Sequence, residues 1–556
     1  MSALNPKRAG ALFFLAVLWS APANAADSSL RALLPHTVNQ WLITAAFMAC
    51  VCVALVVARL AAAKARADAD NYHLGLSTSS FQNGLAIAGS YFSGASFLGV
   101  SALIVTHGYD GMVYAIGFLA GWPIMTLLLA ERLRNLGKFT LGDVLAYRLK
   151  STPIRVFAAI GSLVVTLLYL MAQMVGVGQL IRLLFGFEYW MGVAIVGAMM
   201  MLYVRLGGIF ATTWLTIVKS VLLLVGATVL ALAAIWKFGF GLETLSSGTK
   251  TLHTAVGRGN PLAPGSLLSD PVSLVSVSLA LMCGLAGLPH VLIRFFTAPN
   301  PREARMSAFW ATAWSGWFYL LSIAIGFGAI GFILGDPVFR SVWRNYEGGD
   351  NMASLYLAHA AGGGLFMGTI AAIAFLTILA VMGGLVLAGA ASVSHDLYAI
   401  VRKKGKPDPA RERRISHLAA LGLGAAAVAL GLATERLNMA ILVSLAFSIA
   451  ASAHFPVLIL SLFWKRCTTR GALVGGYAGL LSAMTLTLLS EPVWVGMLRQ
   501  EAALFPYASP ALFSIPAALL GVWLFSVTDK SARAREDRDN FDAQQIRAET
   551  GVGGIA

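Results

Sequence analysis

Residues 85–99 read LAIAGSYFSGASFLG and residues 283–290 read CGLAGLPH, and each stretch interrupts a long apolar segment. The first places small and hydroxyl residues from Ser93 to Ser96 half-way along its segment, and the second places glycines and Pro289 at a similar depth. Glycine and proline interrupt helices and free backbone groups. Such groups cannot face lipid, so each break must face protein or a water-filled cavity, although a single glycine-rich helix more often indicates close packing.

The composition around these stretches is that of a membrane protein. The chain has 556 residues, of which 58% are hydrophobic and 12% are charged, and its mean hydropathy is +0.76. A soluble protein has about 25% charged residues, and a single soluble core stops growing at about 250–300 residues. A one-domain soluble enzyme and a disordered chain are therefore excluded. The net charge of +15 does not indicate nucleic-acid binding, which would need a basic face on a soluble domain.

Windows of about 19 residues predict about thirteen apolar spans. The predicted boundaries are 41–60, 81–105, 111–130, 155–175, 190–206, 209–236, 273–296, 307–334, 363–394, 416–434, 438–463, 471–490 and 511–527. They define an all-α transmembrane domain at 26–527. The charged tail at 528–556 is expected to be mobile or to form a short surface helix.

The two interrupted spans form a pair. They lie five spans apart, so they enter the membrane from opposite sides. This arrangement predicts a five-plus-five inverted repeat, with core repeats at about 81–236 and 273–463, that binds a solute at the midplane between two broken helices.

The N-terminus has the pattern of a secretory signal peptide at 1–25. Lys7 and Arg8 precede a short apolar run at 9–19, and Ala23-Asn24-Ala25 supplies a cleavage site. An uncleaved first helix is the alternative, but the run is shorter than the ~20 residues needed to span a membrane. Most basic residues, including the cluster at 402–414, then fall on the inner side. We expect a bacterial inner-membrane protein with a periplasmic mature N-terminus and a cytoplasmic C-terminus.

Several motifs resemble the sodium:solute symporter family. They are Ser461-Leu462 with Arg466, Gly471-Ala472 and Gly475; Tyr203 to Trp214 with Gly207-Gly208; and Gly287-x-Pro289-His290-x3-Arg294-Phe295. Phe81 to Gly89, Gly108-Tyr109-Asp110-Gly111, Gly121-Trp122-Pro123, Ala130 to Gly137 and Ser394 to Tyr398 resemble its bacterial cation/acetate symporter branch. The resemblance implies a LeuT-like fold and import of acetate, and of other short monocarboxylates, by symport with sodium or a proton. It implies no catalytic residue and no bound cofactor.

A co-transported cation is a physical requirement of such import. A negative-inside potential opposes entry of an anion by about 2.3 kcal/mol per 100 mV. One cation cancels this term and two reverse it. The site must therefore offer donors to a carboxylate, which half-helix N-termini supply, and oxygen ligands to a cation, which unwound carbonyls supply.

The resemblance also implies a set of cation ligands. Two backbone carbonyls of the first broken helix fall at Gly89 and Phe92. The family's Ser/Thr pair in the ninth span falls at Ala380 and Val381, neither of which has a hydroxyl. Thr377, one turn earlier, is the nearest side-chain oxygen. Because of this departure, two alternatives remain for the co-transported cation. It is either sodium bound by fewer side chains or a proton.

A second departure follows Trp214. Many relatives have an acid two residues after this tryptophan, where this chain has Thr216, and Lys219 lies one turn further. A lysine near the bilayer centre costs roughly 2.5–3.5 kcal/mol, which predicts a partner. One hypothesis is that its ammonium replaces a second cation or attracts the carboxylate. The alternative is that the side chain extends to the cytoplasmic surface of the membrane.

Other polar residues of the spans are substrate-binding candidates or packing residues. Ser90, Ser93 and Ser96 offer donors, although membrane serines often bond their own i−4 carbonyl. Gln173 is expected to face the bundle, and His290 is interpreted as a packed, hydrogen-bonded residue more readily than as a proton relay.

The sequence also bears on three other functions. A membrane sensor on the same core would need a signalling domain, for which the tail at 528–556 is too short. A haem or redox subunit would need paired histidines, but His290, His359 and His454 stand singly. Transport of another solute, such as proline, another monocarboxylate or a sugar, remains the alternative.

Overall fold

A computed structural model describes residues 41–53, 56, 60, 79–236, 242–255, 260–296, 298–335, 349–435 and 437–551. The expected signal peptide at 1–25 lies outside these residues and stays a prediction. Helices make up most of the described chain, and its one β-bridge is an isolated pair, Ser490 with Phe505.

The helices are numbered in chain order. They are α1 (Trp41–Val53), α2 (Ser80–Tyr91), α3 (Ala95–His107), α4 (Tyr109–Leu136), α5 (Leu141–Leu145), α6 (Ser151–Phe185), α7 (Tyr189–Trp236), α8 (Leu242–Ala255), α9 (Pro271–Gly287), α10 (Pro289–Phe296), α11 (Pro301–Gly335), α12 (Ala353–Arg402), α13 (Pro409–Ala433), α14 (Met439–Phe463), α15 (Thr469–Leu489), α16 (Glu491–Trp494), α17 (Ala511–Val527) and α18 (Ala532–Thr550).

Both predicted breaks are present. The axes of α2 and α3 differ by 68°, and those of α9 and α10 differ by 40°. Phe92 leaves the helical region with φ −64° and ψ 114°, and Leu288 does so with φ −84° and ψ 110°. Pro289 explains the second break, because proline disfavours a helical residue before it and is well placed at the first position of a new helix.

The number of membrane spans agrees in part with expectation. Within the described residues, eight helices are long and apolar enough to cross a membrane, or up to eleven if each bent pair is one span. The helices Trp41–Val53 and Tyr189–Met201 are apolar but shorter. The spans predicted at 190–206 and 209–236 both fall within α7. The count of about thirteen is therefore not confirmed, whereas the all-α membrane architecture is.

Small residues at the breaks permit close helix packing. A Cβ atom on Gly94 would lie 2.5 Å from Ile378 Cγ1 of α12, and one on Gly99 would lie 2.7 Å from the Ala440 amide of α14. A Cβ on Gly287 would lie 2.7 Å from the carbonyl oxygen of Ala450. Both breaks are thus surrounded by protein, as backbone groups at membrane depth require.

The charged tail forms a docked helix, which corresponds to the helical alternative. Ser531 caps the start of α18, and the Asn135 amide at the end of α4 donates to the Ala548 carbonyl at 2.8 Å. Asp537 accepts the Thr469 amide at 2.7 Å. The tail therefore packs against the ends of α4 and α15, at one end of the bundle.

Candidate functional site

The first broken helix presents two opposite half-helix ends in the middle of the bundle. α2 ends with the Phe92 carbonyl, and α3 starts after Ser93 and Gly94, all of which are buried. A helix C-terminus has a partial negative charge and an N-terminus a partial positive charge. The Phe92 side of the break therefore favours a cation, and the Gly94 side favours an anion.

Lys219 occupies the cation side of the break. Its Nζ atom donates to the Phe92 carbonyl oxygen at 2.6 Å, and its side chain is fully buried. This contact contradicts the alternative in which Lys219 snorkels to the membrane surface. Phe92 is one of the two carbonyls that the resemblance assigned to a cation, so the lysine reaches the place predicted for a bound ion.

Gln173 of α6 lies on the anion side. Its Oε1 atom accepts the Gly94 backbone amide at 3.1 Å, which satisfies one of the free donors at the start of α3. Its Nε2 atom is buried and has no hydrogen-bond partner among the described residues. A buried amide donor without a partner costs about 1–3 kcal/mol, so the Nε2 donor of Gln173 is available to an acceptor that the described residues do not supply.

Ser90 connects the first broken helix to the second. Its hydroxyl donates to the Ala86 carbonyl at 2.9 Å, the i−4 contact considered above, and accepts from Arg294 Nε at 3.1 Å. Arg294 is buried and lies on α10, directly after the second break. Its charge and that of Lys219 interact repulsively. The first break therefore has two buried basic side chains at its α2 end, Lys219 on the Phe92 carbonyl and Arg294 on the Ser90 hydroxyl.

Ser93 and Ser96 are held by the break itself and by two tyrosines. The Ser93 amide donates to Ser96 Oγ at 2.8 Å, and Ser96 Oγ donates to the Ser93 carbonyl at 2.9 Å. Tyr169 of α6 interacts with Ser93, and Tyr319 of α11 interacts with Ser96. These serines stabilise the turn, so their hydroxyls are less available to a solute than that of a free serine.

Aromatic side chains surround the break. The Tyr91 ring packs edge-on against Trp122 with ring centroids 5.2 Å apart, and Tyr169 packs against Phe447 at 6.2 Å. Tyr169 also contacts His290, with centroids 5.1 Å apart. Among the described residues, the two ring nitrogens of His290 have no hydrogen-bond partner, and the indole nitrogen of Trp122 has none either. His290 is thus packed, as expected, but not hydrogen-bonded.

The residues implied as sodium ligands offer few side-chain oxygens. Thr377 donates its hydroxyl to the Ile373 carbonyl at 2.7 Å, and Ala380 and Val381 are buried on the same helix. Gly89 packs tightly against α7, where a Cβ would lie 2.9 Å from the Thr216 carbonyl oxygen. Among these residues only backbone carbonyls and one hydroxyl offer oxygen.

Two residues of the site were not selected from the sequence. Arg294 and Trp122 both stood within the family motifs, but neither was assigned a role. The signal for Arg294 was a charge within a predicted span at 273–296, which is the same signal that selected Lys219. Trp122 offered no comparable signal, because an indole in an apolar span is ordinary.

A second polar cluster lies at the end of α12. Arg155 Nη1 contacts Asp143 Oδ1 at 2.8 Å and Asp396 Oδ1 at 2.7 Å, and His395 Nε2 lies 3.5 Å from the same Asp143 oxygen. Thr140 donates to Asp396 at 3.0 Å. Asp143, His395 and Asp396 have the spacing of possible metal ligands, and the guanidinium of Arg155 bridges the two carboxylates and offsets part of their charge.

The charge state of Asp143 follows from these contacts. Burial by itself raises the pKa of Asp143, but the hydrogen bond with His395 and the charge of Arg155 outweigh it and hold the pKa below its usual range. Asp143 therefore contributes stability above the ordinary carboxyl pKa, and this contribution is lost as the pH falls through the lowered value.

Replacing Arg155 with glutamine is expected to lower the free energy of unfolding by about 3–5 kcal/mol, because two buried carboxylates lose their counter-charge. The measurement is the thermal unfolding midpoint of the purified protein at pH 7. Arg411→Gln is the matched control, because Arg411 is mostly exposed and lies 3.7 Å from Asp408, a pair worth at most about 1 kcal/mol. Equal midpoints for the two variants would contradict this structural role.

Comparison with known proteins agrees with this architecture. The model of the sodium:solute symporter family matches residues 72–479. A Na+-coupled sialic acid symporter in its substrate-bound, outward-open state is 13% identical, with a TM-score of 0.65 over 88% of this chain and 98% of that one. The transporter Mhp1 of the nucleobase-cation-symport-1 family and a manganese transporter from Eremococcus coleocola are 13% and 15% identical. The match with Mhp1 covers 83% of this chain and 96% of that one, with a TM-score of 0.46. The match with the manganese transporter covers 83% of this chain and 95% of that one, with a TM-score of 0.47.

The protein therefore belongs to the sodium:solute symporter family and has the LeuT-like fold. It is a multi-pass membrane protein and a secondary active transporter that moves a small solute together with a cation, and its family and fold are those of transporters.

Proposed function

We propose that this transporter imports acetate and other short monocarboxylates by symport with sodium or a proton. The observation that supports this substrate class is Gln173, which is fixed to the Gly94 amide through its oxygen and directs an unpartnered, buried Nε2 donor into the protein. A carboxylate oxygen is the acceptor that such a donor at a half-helix N-terminus binds well.

The charges around the break favour an anion over a neutral solute. Lys219 and Arg294 are both basic and buried, and the Lys219 ammonium lies against the Phe92 carbonyl at the break. A cationic site in a medium of low polarity is stabilised by an anionic ligand. Proline and sugars do not bring net negative charge, so they fit this site less well than a monocarboxylate.

The proposed orientation follows from basic residues at one end of the bundle. At this end Lys465 Nζ lies 2.8 Å from Asp542 of α18. Arg148 lies at the same end, where its Nη2 atom donates to the Trp464 carbonyl at 3.2 Å. The positive-inside rule makes this the cytoplasmic end. We propose accordingly a bacterial inner-membrane protein with a cytoplasmic C-terminus and a cleaved signal peptide.

Uptake of labelled acetate into proteoliposomes tests the function. Inward sodium and proton gradients are imposed separately, and protein-free liposomes are subtracted because acetic acid itself crosses bilayers. At least one gradient is expected to drive accumulation, and unlabelled propionate or glycolate to compete with it. Failure of both gradients would overturn the proposal, and competition by proline or a sugar alone would favour the alternative substrate class.

A further inference from the structure

Phe447 lies between the two broken helices. Its side chain is fully buried, and its ring centroid is 6.1 Å from that of Tyr91, the last residue of α2 before the first break. Its backbone packs against Gly284 of α9, where a Cβ atom would lie 2.6 Å from the Phe447 carbonyl oxygen. Gly284 precedes the second break at Leu288 by one helical turn. Phe447 of α14 therefore contacts both broken helices close to their breaks.

Phe447 belongs to a cluster of aromatic side chains beside the first break. Its ring packs edge-on against Phe118 of α4, with centroids 5.1 Å apart, and its centroid lies 6.2 Å from that of Tyr169 of α6. The Tyr91 hydroxyl donates to the Phe118 carbonyl at 2.6 Å, and all four rings are buried. We call Tyr91, Phe118, Tyr169 and Phe447 the aromatic cluster. It joins α2, α4, α6 and α14 in one largely apolar surface.

The aromatic cluster adjoins the Gln173 donor. Tyr169 and Gln173 are four residues apart on α6, so they lie on the same face of the helix, about 6 Å apart along its axis. Gln173 accepts the Gly94 amide at 3.1 Å, and its buried Nε2 atom has no hydrogen-bond partner among the described residues. A carboxylate bound by this donor is therefore held on its polar side by Gln173, and the apolar surface next to it is the aromatic cluster.

We propose that Phe447 is the residue that determines the chain length of the transported monocarboxylate, because the alkyl end of the solute contacts its ring. This inference rests on the proposed monocarboxylate transport. With the carboxylate fixed at Gln173, the alkyl end is directed to the aromatic cluster, since apolar carbon gains free energy by leaving water for an apolar surface. Phe447 packs against the second broken helix as well, so its ring limits the space between the two breaks.

Close packing explains how one ring selects for chain length. Protein interiors are packed as densely as organic crystals, and an extra methylene in a filled core forces side chains or backbone to move. A solute of two or three carbons meets the Phe447 ring, and each further methylene overlaps with it. A smaller side chain at this position opens the space. Each methylene that is then buried strengthens binding by about 4-fold, the value of one CH2 group removed from water.

Inhibition of labelled acetate uptake by unlabelled acids of increasing length tests this role. The full chain is used in proteoliposomes, protein-free liposomes are subtracted, and the acids are acetate, propionate, butyrate and valerate. For the unmodified protein the inhibition constant is expected to rise beyond propionate. In Phe447→Ala it should fall instead, by up to about 4-fold for each methylene from acetate to butyrate, and labelled butyrate should accumulate in the vesicles.

Two further substitutions at this position give a graded result. Phe447→Leu removes only part of the ring, so the rise in the inhibition constant should shift to an acid about one methylene longer. This variant also keeps most of the site filled, so it carries the test if the alanine variant does not fold. Phe447→Trp adds volume, and it should weaken inhibition by propionate relative to inhibition by acetate.

The matched control is Phe157→Ala on α6. The Phe157 ring is also fully buried, and it packs edge-on against Tyr477, with centroids 5.2 Å apart, outside the aromatic cluster. Removal of either phenylalanine ring from the core should lower the thermal unfolding midpoint. Only the variants at Phe447 should change the order of the inhibition constants.

Each failure has a distinct signature. If Phe447→Ala and Phe447→Leu keep the chain-length order of the unmodified protein, the role of Phe447 is overturned while monocarboxylate transport stands. Equal inhibition by all four acids in the unmodified protein, or the same change of order in Phe157→Ala, would also overturn this role. If the unmodified protein does not take up acetate and no monocarboxylate binds to it, the proposed function fails, and this inference fails with it.

Discussion

Replacing Gln173 with leucine is expected to raise the half-saturation concentration for the monocarboxylate about 10- to 150-fold, the equivalent of a hydrogen bond to a charged group worth 1.5–3 kcal/mol. Two contacts are lost together. The Gly94 amide loses its acceptor, which lies at 3.1 Å, and the carboxylate loses the Nε2 donor. The measurement is the concentration dependence of initial acetate uptake in proteoliposomes.

The matched control is a second buried glutamine of the same helix. Gln179 donates to the Glu435 carbonyl at 2.7 Å and accepts from Asn351 at 2.8 Å, so both its amide atoms are bonded within the protein. Gln179→Leu should reduce thermal stability and leave the half-saturation concentration unchanged. Similar half-saturation values for the two leucine variants would show that Gln173 is a structural residue only.

The charge of the substrate can be tested at the same position. Gln173→Glu keeps the size of the side chain and an oxygen for the Gly94 amide, but its negative charge would repel a carboxylate. Uptake of a monocarboxylate should therefore be affected at least as strongly as in Gln173→Leu. A neutral solute would be affected less, and equal uptake of acetate by Gln173→Glu and the unmodified protein would argue against an anionic substrate.

Replacing Gly89 with alanine is expected to abolish most transport, because α2 and α7 touch at this glycine. The added Cβ would lie 2.0 Å from Ser220 Oγ and 2.9 Å from the Thr216 carbonyl oxygen. Rotation of Ser220 relieves the first clash, but the second is with backbone. Overpacking of this kind costs about 1–3 kcal/mol and moves α2 away from the helix that contains Lys219.

The initial rate of uptake at equal protein density in proteoliposomes measures this effect, and a large decrease is expected. Gly384→Ala is the control, because a Cβ on this α12 glycine would have nothing within 4 Å. Uptake by Gly89→Ala at the rate of Gly384→Ala would show that the separation of α2 and α7 does not control transport.

One contact accounts for two departures from the family pattern. The chain has Ala380 and Val381 where the resemblance implies hydroxyl ligands, and Thr216 where it implies an acid linked to sodium. The approach of Lys219 to the Phe92 carbonyl supplies a positive group at the same place. The ammonium of Lys219 thus lies where the family resemblance implies a bound cation.

The sequence was sufficient to predict the interruptions of the two helices. Glycine and proline act on the backbone within one or two residues, so the breaks at Phe92 and Leu288 could be located from the residues around them. The overall apolar content likewise determined the class, because membrane insertion depends on local hydrophobicity. The number of spans was less certain: the sequence predicts a division between 206 and 209, at Gly207-Gly208, but the structure has one helix, α7, through this stretch.

The partners of the buried polar groups depended on the tertiary structure. A buried lysine was predicted to need a partner, but the choice between the surface and the bundle required the position of Phe92, which lies 127 residues away along the chain. Gln173 and Gly94 are separated by 79 residues. Local propensity carries no information about such contacts, because they arise only when five or more helices pack around one break. The sequence alone thus determined a membrane protein with two broken helices, and the packing of α6, α7 and α10 decided which charges and donors meet there.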